Sequence, residues 1–334
     1  MMITNIKGYI TKILSLQKAF LAILLVIFVL ALFNLNEKTH TEFFTSYNFV
    51  DLLKSNSIYL ILAMGETIVL IAGGVDLSIG GVMTVSGIMA ILLINSGVPI
   101  PVAIMICILF GVVVGVVNAY ISVYQKTEPF IITLGMGVLL TGVAQQLTDA
   151  RPVSVDFSKS ENFLNLANYK LFGQVPVLVI VMIIILVVTY WVLRSTSFGR
   201  NCYAIGGDYE VAKYSGINVL RTKSLTYVIS GVTAALGGIM LSSQLNAGNS
   251  IFGDVTALYV VCAVVVGGTS VAGGIGGAFK SAIGLVLLGL LTNAFNMLRI
   301  DSYVPYLPTG LQGIIIVGII WLDSYGRKRK RETV

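Results

Sequence analysis

The sequence predicts an all-α polytopic membrane protein: a single transmembrane domain, residues 1–334, with about ten transmembrane helices, broken helices and two pseudo-repeated halves. Two observations predict this class. The 334 residues are 56% hydrophobic and only 11% charged, whereas a soluble domain carries about 25% charged residues. The apolar residues also fall in blocks close to the roughly 17–25 residues that a helix needs to cross a bilayer.

Ten apolar blocks follow one another along the chain. The first span, residues 18–33, has its apolar residues at 19–33, after Lys7, Lys12 and Lys18, and its alternative interpretation is a cleaved signal peptide. Because no small-x-small cleavage site follows it, the sequence favours an uncleaved first span. The other predicted spans are residues 58–72, 78–95, 101–123, 129–147, 175–193, 224–242, 256–266, 277–298 and 309–322.

Lysine and arginine are distributed unequally between the predicted loops. Counted from a cytoplasmic N-terminus, the inner loops hold most of the basic residues, including the run at 327–331. The positive-inside rule therefore predicts that both termini are cytoplasmic. In isolation the basic run resembles a nucleic-acid patch, but after a terminal span it is typical of an anchor near anionic lipid.

Two glycine-rich segments interrupt the apolar blocks: GGVDLSIGG at residues 73–81 and GGTSVAGGIGG at residues 267–277. Irregular backbone at membrane depth is tolerated only where it is buried in protein or lines a wet cavity. Such paired breaks point to a transport pathway. Residues 73–93 resemble residues 267–288, and each is followed by another span and then a proline-led one, which predicts two related halves.

Two acidic residues lie inside or beside the predicted spans, Glu66 in an apolar run and Asp76 in the first break. A charge at the bilayer centre costs at least ~2.5–3.5 kcal/mol, so such residues usually face a bundle interior or a cavity. For Asp76 the alternatives are a cap on the following helix and direct contact with a ligand. For Glu66 they are a hydrogen-bonded packing role and a proton-relay or substrate role.

Several kinds of chemistry are excluded. The segment GIGGAFKS at residues 274–281 is not a P-loop, because Phe279 stands where glycine must precede the Lys-Ser pair. The chain therefore has no ATPase site of its own, and catalytic carboxylate pairs are also lacking. With one histidine and three scattered cysteines, predicted to be packing residues, the sequence indicates no disulfide framework and no metal site.

The longest predicted cytoplasmic loop, residues 194–223, contains a short helix-forming stretch at 208–214. Asp208 is well placed as its N-cap, and Ser215 and Gly216 end it. Such a helix under the membrane either docks to a partner or is an ordinary interfacial helix, and spacing alone does not decide between them.

Four motifs resemble those of ribose-type ABC-transporter permeases, in that family's order. The loop FGRNCYAIGGDYEVAKYSGINV resembles the family's cytoplasmic loop, and the first break is similar to the family's GGIDLSVG. PFIITLG at 129–135 resembles PxFIxTLG, and VGGTSVAGG at 266–274 resembles LGGTSLAGG. NAFNML at 293–298 is also similar to NxLNLL. The resemblance covers roughly residues 55–322. One departure is ALYVV at 257–261, where the family often has an acidic E-L-D-A-I stretch, and it is consistent with one half of a heteromeric permease pair.

The resemblance implies the inner-membrane subunit of a binding-protein-dependent importer of a sugar or sugar-like solute. It implies a second permease chain, an extracytoplasmic solute-binding protein, and a separate ABC ATPase subunit that uses ATP, so that this chain binds no cofactor. The candidate pathway residues are Glu66, Gly74, Asp76, Ser78, Gly80, Thr133, Gly268, Thr269, Asn293 and Asn296. The residues that would couple to the ATPase are Gly207, Asp208, Glu210, Ala212, Ser215 and Gly216.

Three other functions remain open at this point. A permease of the same superfamily for a nucleoside or an amino acid would share these motifs. A secondary transporter would couple Glu66 or Asp76 to a proton and would work without ATP. A scaffold without transport activity is disfavoured by the glycine breaks.

Overall fold

Helices make up most of the described chain. The structure, a computed structural model, describes residues 43–171, 175–253 and 255–297, with isolated positions at 23, 27, 310, 313, 314 and 317. In chain order the elements are α1 (Ser46–Ile71), α2 (Ile79–Asn95), α3 (Ile100–Ala119), α4 (Pro129–Thr148), α5 (Phe157–Asn168), β1 (Lys170–Leu171), β2 (Val175–Pro176), α6 (Val177–Ser195), α7 (Ser197–Gly207), α8 (Tyr209–Tyr214), α9 (Val219–Leu245), α10 (Thr256–Val266) and α11 (Ala278–Met297). A π-helical turn, Tyr120–Tyr124, extends α3, a 3-10 turn, Ser250–Gly253, precedes α10, and β1 pairs antiparallel with β2.

Six of the described helices are long and apolar enough to cross a membrane, judged by length and composition: α1, α3, α4, α6, α9 and α11. Helix α2 and the segment Ser250–Val266, which includes α10, are shorter and also apolar. Each of them lies on a predicted span, so the second to the ninth predicted spans are found as helices. The first and tenth spans and the basic run at 327–331 lie outside the described residues.

Helix α9 lies at the centre of the described bundle and packs against α1, α2 and α3. The helices approach so closely that a methyl group on Gly231 would meet the carbonyl oxygen of Gly111, and one on Gly238 would meet that of Met83. Small residues permit such an approach in a membrane, where packing rather than the hydrophobic effect holds helices together. The buried side chains of α9 are accordingly mostly glycine, alanine, serine and threonine.

The predicted span at 58–72 is too short, because α1 begins at Ser46. Thr45 caps the helix, and its hydroxyl accepts a backbone N–H of the first turn at 3.2 Å. Asn56 and Ser57 are buried, and their side chains donate to backbone carbonyls one turn earlier, at 2.8 Å and 2.6 Å. Polar side chains that hydrogen-bond to the backbone of their own helix can be buried in it, but they lower its mean hydropathy. An apolar run therefore begins later in the sequence than the helix does.

Helices α5 and α7 lie outside every predicted span. Helix α5 is held against α9 by Ser243, whose hydroxyl accepts the N–H of Ala167 at 3.0 Å and donates to the Phe163 carbonyl at 2.6 Å. Helix α7 is capped by Thr196, whose hydroxyl accepts the N–H of Gly199 at 3.1 Å. Both helices depend on caps and tertiary contacts rather than on a long apolar run, which is why hydropathy does not reveal them.

Candidate functional site

The first break joins α1 to α2 and is fixed by Asp76 within it and Glu66 of α1. Gly73 has φ +71°, in the left-handed region that favours glycine. Asp76 donates its N–H to Glu66 Oε1 at 3.3 Å, and its own Oδ1 accepts the N–H of Ser78 at 3.0 Å and the Ser78 hydroxyl at 2.6 Å. The Asp76 carboxylate is thus bonded to the residue that leads into α2, not to an N–H within the first turn of α2.

Two neighbouring helices hold this break from the side. Asn118 of α3 donates its Nδ2 to the Ser78 hydroxyl at 2.8 Å. Thr133 of α4 accepts the Leu77 N–H at 3.0 Å, and its hydroxyl lies 2.8 Å from the Pro129 carbonyl. Asn118, Ser78 and Thr133 are at most 1% exposed. The irregular backbone is therefore buried in protein, as the sequence requires at membrane depth.

The oxygen atoms of this network are only partly satisfied. Glu66 Oε2, Asp76 Oδ2 and Asn118 Oδ1 are buried and have no hydrogen-bond partner among the described residues. Glu66 and Asp76 are 0% and 1% exposed. An ionised carboxylate without a cation partner is costly in such surroundings. The carboxyl groups of Glu66 and Asp76 can each hold a proton or accept a hydrogen bond through the oxygen that has no partner.

The second break joins α10 to α11 and is fixed by hydroxyl contacts instead of acids. Gly268 has φ +101°, and open space surrounds the position that its side chain would take. Thr269 is fully buried, and its Oγ1 lies 3.0 Å from Ser281 Oγ of α11. That oxygen in turn lies 2.8 Å from Oγ1 of Thr67 on α1. A chain of three hydroxyl groups therefore ties the second break to the helix that leads into the first.

The two breaks and the end of α7 meet at a cluster of glycines, which we call the glycine junction: Gly73, Gly206, Gly273 and Gly274. A methyl group on Gly273 would lie 2.8 Å from Gly206 Cα and 3.0 Å from Gly73 Cα. The Gly274 N–H donates to the carbonyl of Ile71, the last residue of α1, at 2.9 Å. Only glycine permits this contact of three backbones. Sequence reasoning did not identify Gly206, although the Gly-Gly pair that follows Ile205 is a visible signal.

The candidate pathway residues do not form one cluster. Gly74 and Gly80 belong to the first break and lie against Tyr227 and Gly253 respectively. Asn293 and Asn296 lie near the end of α11. There they are next to the first half of α1, whereas the first break follows the other end of α1. Asn293 and Asn48 exchange side-chain hydrogen bonds of 2.8 Å and 3.2 Å, whereas Asn296 is exposed.

The predicted coupling segment is a short helix, α8. Asp208 caps it, with Oδ1 accepting the Val211 N–H at 3.0 Å, and Gly216, at φ +82°, follows its C-cap Ser215. The predicted cap and helix end are therefore confirmed. Ala212 is buried and anchors α8 to Ile205 and Val219.

The outer face of α8 is open. Tyr209, Val211 and Tyr214 are 41%, 62% and 84% exposed, and Glu210 is exposed beside them. In the part of the chain that the structure describes, no atom lies within 4 Å of the position that a Gly207 side chain would take. An apolar face of this kind on a short helix suits contact with a partner protein. Cys202 lies in the neighbouring helix α7. Its side chain is buried, and burial raises the pKa of its thiol to about 12.

Comparisons with known proteins place this arrangement in a family. The family model described as "branched-chain amino acid transport system / permease component" matches residues 48–320. The chain is 32% identical to the ribose import permease protein RbsC of Haemophilus influenzae, over 96% of this chain and 97% of that one. It is 30% identical to the xylose transport system permease protein XylH of the same organism, over 95% and 99%.

A third relative is the D-allose transport system permease protein AlsC of Escherichia coli, 31% identical over 83% of each chain. Relatives of this kind are transport subunits rather than enzymes. The resemblance that the four motifs indicate is therefore confirmed over nearly the full chain. The chain belongs to the permease-component family of the ABC importers, together with the ribose-type permeases.

Proposed function

We propose that this chain is the transmembrane subunit of an ATP-driven importer for a sugar or a sugar-like solute. The observation that carries the proposal is the similarity, over nearly the full chain, to permeases named for ribose, xylose and allose. The two breaks offer glycine backbone, hydroxyl groups and few charges, which suits a neutral hydroxylated solute. A weak site of this kind also lets the solute leave.

The importer consists, in this proposal, of two permease chains, an ABC ATPase that uses the ATP, and an extracytoplasmic solute-binding protein. The chain itself binds no cofactor and lies in the inner membrane with ten spans, two related halves and both termini cytoplasmic. Closure of the ATPase pair moves α8. Because α7, which directly precedes α8, ends in the glycine junction, that movement reaches both breaks at once and switches the solute cavity between the two sides.

The alternative within the family is a nucleoside or amino-acid solute, and the family description, which names branched-chain amino acids, favours the latter. An amino acid carries two charges, and a site for it needs fixed counter-charges or helix termini. A proton-coupled transporter would instead use Glu66 or Asp76 and would need no ATPase.

A solute panel tests the proposal. The cognate binding protein is purified, and its affinity for ribose, xylose, allose, nucleosides and branched-chain amino acids is measured by calorimetry. Cells that carry or lack this chain are then assayed for uptake of each labelled compound. We expect one of the sugars to bind and to be imported only when the chain is present. Binding and uptake of an amino acid or nucleoside alone would contradict the sugar assignment.

A further inference from the structure

A pocket lined by both polar and apolar side chains lies at the end of the bundle opposite the glycine junction. Residues of α1, α10 and α11 line this pocket. Its volume is about 250 Å³, slightly below the ~300–1,000 Å³ that ligand pockets usually occupy. Helix α1 enters the bundle at this end and reaches the first break only at Ile71. The pocket therefore opens on the side away from α7 and α8, the side from which a binding protein delivers solute.

Two tyrosines form the apolar surface of this pocket. The rings of Tyr59 on α1 and Tyr259 on α10 have centroids 5.0 Å apart and planes at 60°. Both side chains are half-buried. Thr292 of α11 lines the pocket together with Tyr259, so a hydroxyl group of the third helix borders the same space. A tyrosine ring offers a rigid apolar face with a polar tip.

Amide and hydroxyl groups surround the two rings. Asn56 of α1 and Asn293 and Asn296 of α11 line the pocket, and Asp51 is its one charged residue among those described. Amides supply both donors and acceptors, whereas a carboxylate accepts only. A neutral solute with several hydroxyl groups matches this set, and an anionic solute would meet no positive charge among the described lining residues.

Tyr259 also lies in the stretch where this chain departs from its family. Residues 257–261 read Ala-Leu-Tyr-Val-Val, where ribose-type permeases often have Glu-Leu-Asp-Ala-Ile. The third residue of that stretch is Tyr259, whose ring faces Tyr59. The side chain at this position of the chain is an aromatic ring on the pocket wall.

We propose that this pocket is the entry site for the solute, which is a neutral polyhydroxylated ring of monosaccharide size. One apolar face of the ring lies against Tyr259 and Tyr59. Its hydroxyl groups bond to the exposed amide of Asn296 and to the donor and acceptor that Asn293 keeps beyond its pair with Asn48. The inference rests on the proposed function and adds the place and the chemistry of binding.

Uptake kinetics test the site in the whole importer, with its ATPase and binding protein, using the labelled sugar that the wild type imports. We expect Tyr259→Ala and Tyr59→Ala to raise the KM about tenfold, and Tyr259→Phe to change it less, because the ring face is kept. Tyr124→Ala is the matched control: Tyr124 stacks on Tyr120 at 6.2 Å, far from the pocket, and its loss leaves KM unchanged.

A labelling experiment gives a readout that does not depend on transport. Ser55 lines the pocket and is exposed, so Ser55→Cys, in a chain whose Cys262 is alanine, can be modified by a water-soluble thiol reagent. We expect the imported sugar to slow this reaction severalfold. Ser96→Cys, an exposed position at the end of α2, is the control that the sugar does not protect.

The outcomes separate the two claims. If the wild-type importer takes up no sugar, the proposed function itself fails. If it imports a sugar, but the tyrosine variants keep the wild-type KM and the sugar leaves Ser55→Cys unprotected, the entry site is wrong and the proposed function stands. If Tyr259→Ala does not reach the membrane, Tyr59→Ala and the protection of Ser55→Cys decide.

Discussion

Single residues in the first break explain how an irregular, charged segment is accommodated in a membrane. Asp76 and Ser78 bond to each other, Asn118 bonds to Ser78, and Thr133 takes up the Leu77 N–H. Glu66 has the single long bond from the Asp76 N–H and an unpartnered second oxygen. With no described cation partner, Glu66 is stable in this position when it carries a proton.

This account predicts that Glu66→Gln is well tolerated. Glutamine keeps an oxygen that accepts the Asp76 N–H and replaces the other oxygen by an amide group that cannot ionise, so we expect ATP-driven uptake to stay within about twofold of wild type. Glu66→Ala leaves that N–H unsatisfied at a cost of ~1–3 kcal/mol and lowers the amount of folded chain. Initial uptake rates, normalised to the membrane level of each variant, check this. Abolished uptake in a well-expressed Glu66→Gln variant would instead favour proton coupling.

The glycines of the first break give a second prediction at this scale. A side chain at Gly74 would lie 2.7 Å from the Tyr227 hydroxyl, and one at Gly80 would meet the Gly253 carbonyl. Gly74→Leu and Gly80→Leu should therefore cut uptake at least tenfold while the chain still inserts, since overpacking costs ~1–3 kcal/mol. Gly135→Leu and Gly142→Leu are the controls, because no described residue lies within 4 Å of their side-chain positions. Equal uptake in all four variants would reject a pathway at this break.

At the scale of elements, the sequence predicts the membrane helices well and the short ones poorly. Apolar runs such as residues 256–266 locate α10 at the observed bounds. The start of α1, by contrast, depends on a Thr45 cap and on buried Asn56, and α5 depends on Ser243 far along the chain. Asp208 and Gly216 were predictable because helix caps have local signatures. The contact of both breaks with Gly206 was not, because it joins three distant segments.

The short helix α8 gives the prediction at this scale. Glu210→Arg reverses a charge on its open face, and Gly216→Val places a β-branched residue at φ +82°, a strain of ~1–3 kcal/mol. We expect either the loss of the ATPase from the complex or ATP hydrolysis without import, with membrane insertion intact. Pull-down of the ATPase and solute-stimulated hydrolysis in liposomes check this. Normal binding and import in both variants would leave α8 as an ordinary interfacial helix.

For the whole molecule, the two ends of the bundle have different properties. The tyrosine pocket opens at one end, and at the other end the glycine junction joins α7 to both breaks. Helix α1 runs between them, and Thr67 connects it to Thr269 through Ser281. A shift of α7 therefore acts on both breaks together, as a change of access from one side of the membrane to the other requires.

The distribution of basic residues between the two ends predicts the orientation of the chain in the membrane. Because lysine and arginine are more frequent in the loops on one side of the predicted spans, we expect both termini and α8 in the cytoplasm and the end of α2 outside. A reporter active only in the cytoplasm should work when fused at Val334. In intact cells, Ser96→Cys should react with a membrane-impermeant thiol reagent, and Ser215→Cys should react only after lysis. The reverse pattern would overturn the predicted topology.

The central claim is that this chain moves a solute with energy supplied by a separate ATPase. The most direct measurement is sugar uptake into liposomes that contain the purified importer, with ATP, with a non-hydrolysable analogue, and with an ATPase whose P-loop lysine is changed to alanine. We expect uptake only with ATP and the intact ATPase, and no hydrolysis by this chain alone. Uptake driven by a proton gradient in the absence of the ATPase, or robust ATP hydrolysis by the isolated chain, would contradict the account.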